Sequence, residues 1–326
     1  MEYKYVVGGS ENDYYEAAYA DVKRDPEAVY DDTFIPFKSR IVNFLYNHHF
    51  GVRINAIIDL PGKGIWNRFY LKNDFTRDDN ICFVLFTRYL PLVRYGLLRY
   101  LRKHYPNCRI VLFYQDLAAK VKGMDPSTVL DHFDLVLSFD QDDCKKYGWE
   151  YYPLVYSRVD VPDNPEIPRS DVYFVGKAKD RLSDILKAYE QLRSRGYTCD
   201  FHIVDVPEEQ RRYADEIDYC DLLPYQENLQ RIAKTNCMLE IMQKGGRGYT
   251  LRYCEAITYG KKLLTDNPEV SNAPFYNKDF ISVFTDPEHM DLTLLNTIGD
   301  VDYQYADNVS PMRMLKFIDD KLTGRA

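Results

Sequence analysis

The chain has little with which to hold a metal or cross a membrane. Its seven cysteines are scattered with no Cys-x-x-Cys pair. Of six histidines only His48 and His49 lie close together. Adjacent side chains on a regular element point apart, so that pair makes no zinc arrangement. An odd, widely spaced set of cysteines points to reduced thiols, as in a cytosolic protein. No run of eighteen apolar residues occurs, which excludes a transmembrane helix. The opening Met1-Glu2-Tyr3-Lys4-Tyr5 lacks the basic start and apolar core of a secretion signal. A net charge of −8 argues against general nucleic-acid binding. The expectation is a cytoplasmic protein with no metal, no resident cofactor and no nucleic-acid partner.

What is present is an α/β alternation over 326 residues, long enough for two domains. Tyr3 to Val7 reads as a first strand ended by Gly8-Gly9-Ser10. That glycine pair is either an acceptor-side loop or a tight turn. The next thirty residues are rich in Tyr, Asp and Glu and show no clean period. Ser39 to His49 reads as a helix with Ile41, Phe44 and Leu45 on one side, and Gly51 to Asp59 as containing a second strand. Ile81 to Phe86, Arg109 to Tyr114 and Phe133 to Phe139 are apolar runs suited to strands of a parallel sheet. Asp116 follows the second of these, at the ligand edge of such a sheet, and is the candidate catalytic base. It equally suits the cap of a following helix. Asp140-Gln141-Asp142 also follows a strand. It reads as helix-start acids in preference to a metal–diphosphate motif.

Arg88 to Tyr105 carries Arg88, Arg94, Arg99, Arg102 and Lys103 and no acidic residue. Leu90, Val93, Leu97, Leu98 and Leu101 form an apolar stripe close to helical spacing. The window is an amphipathic helix on the sheet or a contact, Arg88 to Lys103, for anionic membrane lipid. The 29 tyrosines offer rings to sugar faces or to the core.

Four prolines between Tyr151 and Ser170 mark a linker. The expected organisation is a first domain over 1–155, a linker over 156–170, a second domain over 171–309 and a terminal helix over 310–326 that crosses back. Asp171 to Gly176 restarts the alternation with Lys177, Lys179 and Arg181 behind it. Cys237 to Met242 reads as a buried strand interrupted by Glu240, which is either at a pocket or paired locally. Gly245-Gly246-Arg247-Gly248 follows. Thr250 reads as the N-cap of a helix over Leu251 to Tyr259, and Gly260 as its C′ residue. Backbone N–H groups at a glycine loop and a helix N-terminus make an anion seat, read here as that of a nucleotide diphosphate.

Gly-x-Gly-x-Thr-Leu-Arg-x-x-Glu-Ala-x-x-x-Gly-Lys-Lys-Leu-x-Thr-x-Asn, from Gly246 to Asn267, resembles the donor-binding segment of GT-B glycosyltransferases. It is most similar to those of bacterial capsule and lipopolysaccharide synthesis. The resemblance implies two Rossmann-like domains facing a central cleft. It implies a nucleotide-sugar donor, a glycan or lipid-linked acceptor, and work at the inner face of the membrane. Glu255 matches the glutamate that holds the ribose, and Arg247 stands where many relatives carry a second glutamate. Donor contacts are assigned to Lys177, Arg181, Glu240, Gly246, Arg247, Gly248, Thr250, Arg252 and Glu255. The leaving diphosphate would be met by N–H groups and cations without a metal ion. A sugar-nucleotide epimerase of the same fold and a non-catalytic partner subunit are the alternatives.

Overall fold

The computed structural model describes residues 1–10, 12–32, 37, 39–51, 55, 57–245, 248–305 and 308–325. The chain divides into two compact units, one of Met1–Pro153 with Pro311–Ala326, the other of Leu154–Ser310.

The first unit is built on a parallel sheet of β1 (Lys4–Gly8), β2 (Ala28–Asp31), β3 (Ile81–Phe86), β4 (Arg109–Tyr114), β5 (Leu135–Ser138) and β6 (Glu150–Tyr151). Its strand order is β2-β1-β3-β4-β5-β6. All six residues of β3 are buried, as its unbroken apolar run requires of a central parallel strand. Each such side chain contributes about 1.5–3 kcal/mol of burial. Among the described residues the second strand is Ala28–Asp31. Four residues beside a charged segment carry no readable period, and pairing with β1 makes the strand. Residues 52–54 and 56 lie outside the described set, and the described ones near them form no strand. In the same region Asn55 donates its backbone N–H to Gly51 O at 3.0 Å.

Short helices α1 (Asp13–Ala18) and α2 (Ala20–Arg24) occupy the tyrosine-rich segment left unassigned from sequence. Helix α3 (Arg40–Phe50) begins at Ser39, whose side chain accepts from Val42 N. Its apolar side is turned to solvent: Ile41, Phe44 and Leu45 are exposed. The buried anchor is Tyr46, whose hydroxyl meets that of Tyr70 at 2.6 Å. The basic window is broken by Gly96, at φ 82°, into α4 (Leu90–Val93) and α5 (Leu97–His104). Leu97, Leu98 and Leu101 are buried, so the leucine stripe packs on the sheet. Gly8 and Gly9 are required by packing. A Cβ would lie 2.6 Å from the Tyr89 ring at Gly8 and 2.1 Å from the Tyr30 ring at Gly9.

The second unit repeats the design with β7 (Ser170–Lys177), β8 (Cys199–Val204), β9 (Thr235–Glu240), β10 (Lys262–Thr265) and β11 (Ile281–Val283). The order is β11-β10-β9-β7-β8, parallel throughout. Read from its own first strand it is 2-1-3-4-5, the order with which the first unit also begins. No sequence repeat accompanies it; the likeness lies in topology. Helix α6 (Gln141–Tyr147) follows β5 in the first unit, and α7 (Leu182–Ser194), α8 (Tyr225–Lys234) and α9 (Leu251–Tyr259) complete the α/β alternation of the second. The segment leading into β7 is fixed at Tyr156, fully buried, whose N–H donates to Val309 O at 2.7 Å. Among the twelve largest fully buried side chains seven are tyrosines, so a good part of the tyrosine excess goes into the core. No helix among the described residues is long and apolar enough to cross a membrane.

The terminal helix α10 (Pro311–Thr323) belongs to the first unit and is held there by one carboxylate. Asp319 Oδ1 accepts from Glu2 N at 2.7 Å, Tyr3 N at 3.1 Å and the Tyr5 hydroxyl at 3.2 Å. Asp319 is buried, so its removal leaves the buried Tyr3 N–H without this acceptor, while the Tyr5 hydroxyl keeps Leu315 O at 3.0 Å. Asp319→Ala should cost about 3–5 kcal/mol, the range for deleting one partner of a buried charged group. Hydrogen exchange should then show α10 opening ahead of β3. A variant with unchanged denaturant midpoint and unchanged α10 protection would contradict this.

Candidate functional site

In both sheets the strand order reverses between the first and third strands, and open α/β sheets bind ligands at the carboxyl ends of such strands. In the second unit those ends are Gly176-Lys177 of β7 and Glu240 of β9. The loops after them are tied together. Lys179 Nζ donates to Gln243 Oε1 at 2.9 Å, and Lys244 N donates to Asp180 Oδ2 at 3.2 Å. Arg181 reaches across both: its Nε donates to Lys177 O at 3.2 Å and its Nη1 to Ile241 O. The guanidinium sits 5.8 Å from the Phe174 ring centre. Gly176 is needed for this, since a Cβ there would lie 2.7 Å from Arg181 Nη2. Burial first, and then Arg252, lower the pKa of Arg181. Among the described residues no carboxylate forms an ion pair with it. Lys177, by contrast, is exposed and paired with Asp205 at 2.7 Å.

Helix α9 starts beside this crevice. Thr250 has extended backbone angles and its hydroxyl accepts from Arg252 N and Tyr253 N, the N-cap that the sequence predicts. Gly260 ends the helix at φ 63°, where a Cβ would lie 2.6 Å from Val301 O. The Thr250 hydroxyl in turn donates to Glu240 Oε1, and Thr265 donates to Glu240 Oε2. Of its two expected placements, Glu240 takes the local one: it is buried beneath the loop with both oxygens engaged. Burial raises its pKa, and the two threonine hydrogen bonds oppose that shift.

Glu255 is fully buried, which departs from its expected contact with ribose hydroxyls. Its Oε1 accepts from the Tyr225 hydroxyl at 2.6 Å and from Asn228 Nδ2 at 3.0 Å. Its Oε2 accepts from Arg252 Nη1. Tyr225 spends its proton on Glu255, so the Tyr156 hydroxyl, 2.7 Å away, donates to Tyr225. The carboxylate thus joins α9 to α8 and to Tyr156. Arg252, offered from sequence as a phosphate contact, serves as its counter-charge with 21% of its side chain exposed.

Gly246 and Arg247 lie outside the described residues. Gly248 is at φ 75°, and its N–H donates to Glu269 Oε2 at 2.7 Å while its carbonyl accepts from Asn267 Nδ2 at 2.9 Å. A carboxylate on that N–H matches the anion preference of the position and competes with a phosphate there. Glu269, Lys179 and Lys244 were absent from the sequence-derived set. They are brought to the crevice by loops rather than by a motif, and only the cluster of cations behind Gly176 hinted at Lys179.

In the first unit Asp116 stands exposed after β4 and accepts from Leu117 N at 2.9 Å. Nearby Arg88 donates to Gly9 O at 2.8 Å, between the ends of β1 and β3. Tyr15 and Tyr19 both bond Gln115, at 3.1 and 2.7 Å. Asp140 caps α6 by accepting from Asp143 N at 2.8 Å, and Asp143 accepts from Ala118 N at 2.8 Å. Those two acids are helix-start and loop-holding groups.

No protein-family model matches the chain, and no curated protein matches it. Solved structures do. A glycosyltransferase involved in avilamycin A biosynthesis aligns over 81% of this chain and 80% of its own, with TM-score 0.50 and 12% identity. The fold is of the GT-B type. A glycotransferase of kitacinnamycin aligns over 90% of this chain and 86% of its own, at TM-score 0.42 and 10% identity. An α-glucosyltransferase in complex with UDP-glucose and DNA containing an abasic site aligns over 58% of this chain, at TM-score 0.40 and 14% identity. This chain spans 61% of that enzyme's length. At these identities the likeness concerns the GT-B fold alone, and activity has to be argued from the site.

Glu240 provides a pH test of the crevice. Its folded pKa is raised, so the protonated form fits the fold better. Its contribution to stability is fully present below the ordinary glutamate value of about 4.3 and is lost as pH rises through the raised value. Glu240→Gln should therefore gain on the wild type as pH rises from about 4 to 7. Parallel stability–pH curves for the two proteins would refute the burial of Glu240.

Proposed function

We propose that the chain is a glycosyltransferase that moves a sugar from a nucleotide-diphosphate donor to a surface-polysaccharide acceptor of the capsule or lipopolysaccharide kind. The single observation that carries the donor half is Arg181. It is a half-buried cation with no ion-pair partner among the described residues, at the sheet's switch point and beside the start of α9. A cation left without its own carboxylate is matched to an anionic ligand. In transfer the bond from the anomeric carbon to the β-phosphate oxygen breaks, and charge grows on the departing diphosphate. Preorganised positive groups aimed at that charge lower the barrier. Arg181, Lys179, Lys244 and the N-terminal end of α9 supply them from the protein, so the proposed transfer needs no divalent ion. Asp116 is the proposed base toward the acceptor hydroxyl. The acceptor half of the proposal rests on the resemblance of the Gly246 to Asn267 segment.

The test is calorimetry and turnover with UDP-, GDP-, CMP- and ADP-sugars. One class should bind, and Arg181→Gln should weaken it by about 10-fold or more, as expected for a lost charged hydrogen bond of 1.5–3 kcal/mol. Excess EDTA should leave that affinity unchanged. Binding that needs Mn²⁺ or Mg²⁺, or that ignores Arg181, would overturn the reading. Turnover of donor without any acceptor would favour the epimerase instead, and binding without turnover the partner subunit.

The same proposal places work at a membrane surface. Arg99 and Lys103 are exposed on α5, and Ile41, Phe44 and Leu45 are exposed on α3 of the same unit. Surface cations contribute about 1 kcal/mol each toward anionic lipid, lost as salt rises. Arg99→Gln with Lys103→Gln should weaken binding to phosphatidylserine vesicles at low salt while sugar-nucleotide binding is kept. Wild-type protein that ignores such vesicles, or a double variant that binds as well, would return α5 to an ordinary solvated helix.

A further inference from the structure

The second unit holds a cluster that the crevice does not use. Strand β8 is the edge of its sheet. The segment around Asp218 lies along it as a parallel bridge, with Asp218 N to Phe201 O and Ile203 N to Asp218 O both at 2.9 Å. This backbone pairing fixes Asp218 and the nearby Cys220 against His202. One imidazole nitrogen of His202, a carboxylate oxygen of Asp218 and the Cys220 sulfur lie within 4.8 Å of one another. His202 is 3% exposed, whereas the Asp218 side chain is 55% exposed, so the cluster is walled on one side and open on the other.

The other imidazole nitrogen settles how the ring can act. His202 Nε2 lies 2.7 Å from Asp200 Oδ1, and Arg231 Nη1 clamps Asp200 through both oxygens at 3.0 Å. A carboxylate so neutralised and positioned receives the Nε2 proton. On the open side Nδ1 is hydrogen-bonded to Asp218 at 2.8 Å, so a single proton lies between two groups that can each bind a cation. A histidine with one nitrogen on a carboxylate and the other on a group of acidic and thiol ligands is the arrangement that orients metal-binding imidazoles.

We propose that His202 Nδ1, Asp218 and Cys220 bind Zn²⁺, with water in the fourth position. Sulfur, imidazole and carboxylate donors together suit zinc rather than magnesium or calcium. Bonds of about 2.0–2.3 Å in a tetrahedron set donors roughly 3.3–3.7 Å apart. The His202–Asp218 distance therefore opens by about half an ångström. Binding releases two protons to solvent, the one between His202 Nδ1 and Asp218 and the one on Cys220, and leaves the thiolate on the metal. The ion clips the Asp218–Cys220 segment to the exposed edge strand, which also covers backbone groups that an edge leaves unpaired. The clip lies on the β8 edge, with β7 between it and β9, and shares no residue with the proposed donor seat.

The full-length protein, stripped with EDTA and dialysed, is titrated with Co²⁺ and then Zn²⁺. One Co²⁺ per chain should give a thiolate-to-cobalt charge-transfer band in the near ultraviolet, and Zn²⁺ should displace it. Cys220→Ser should abolish the band. Asp200→Asn should keep the band and weaken Zn²⁺ by about 10–100-fold, as loss of a partner behind a ligand does. Zn²⁺ should raise the melting temperature of the wild type and not of Cys220→Ser. On the wild type alone, Zn²⁺ should also slow alkylation of Cys220 by iodoacetamide, read by peptide mass. No thiolate band at saturating Co²⁺, a band unchanged in Cys220→Ser, or unprotected Cys220 would reduce the cluster to an ion pair between His202 and its two aspartates.

Discussion

The buried carboxylate of Glu240 is the interaction on which the crevice depends. It ends β9, and its two oxygens take the hydroxyls of Thr250 and Thr265. One side chain thereby ties the end of one strand to the end of the next and to the first residue of α9. Thr250 is bound on both sides: its proton goes to Glu240 and its lone pairs to Arg252 N and Tyr253 N. The direction in which the helix start points is therefore set from beneath the loop. Burial makes such a carboxylate costly, and the two hydroxyls repay part of that cost. A fold keeps this kind of group where a fixed geometry matters more than a fraction of its stability.

Charge is distributed around that clamp in two layers. Below, Glu255 and Arg252 neutralise each other within a network of Tyr225, Asn228 and Tyr156. Above, Arg181 and Lys179 stand on the loop after β7 with their side chains bonded to carbonyl and amide groups, and Lys244, on the loop after β9, donates its N–H to Asp180. The lower layer holds α8 and α9 together, and the upper layer is the one suited to an anion. Glu269 on the Gly248 N–H and Asp180 on the Lys244 N–H are anionic groups that already take part of this seat.

Much of the fold was legible from local pattern. The runs Ile81–Phe86 and Arg109–Tyr114 are strands because nothing but burial on both faces accommodates them. Thr250 and Gly260 bound α9 because a hydroxyl N-cap and a left-handed C′ residue are requirements of single positions. Ser39 capped α3 for the same reason. Ala28–Asp31 was not legible, since four residues become a strand only when β1 offers its edge. The single helix expected over the basic window failed at Gly96, where the backbone takes a left-handed turn. The outward face of α3 also went against its pattern, because Tyr46 on the other side found the aromatic core first.

The sequence by itself determined the α/β alternation, the parallel character of the strands, and the glycine loop with its capped helix, all of which depend on neighbours within a few positions. Tertiary structure decided which of the named residues are paired inside the protein and which are left at the crevice. Glu255 and Arg252 share one turn of helix, and nothing local says that Tyr225 and Asn228, some thirty residues away, will close over them. Arg181 is one cation among several after β7, and it was singled out only by what lies next to it across the sheet. Asp319 holds the first strand from more than three hundred residues away, and His202 meets Cys220 only because a short bridge folds one onto the other. A hydrogen-bonding group has many possible partners in sequence and few in space, so its role is settled by packing.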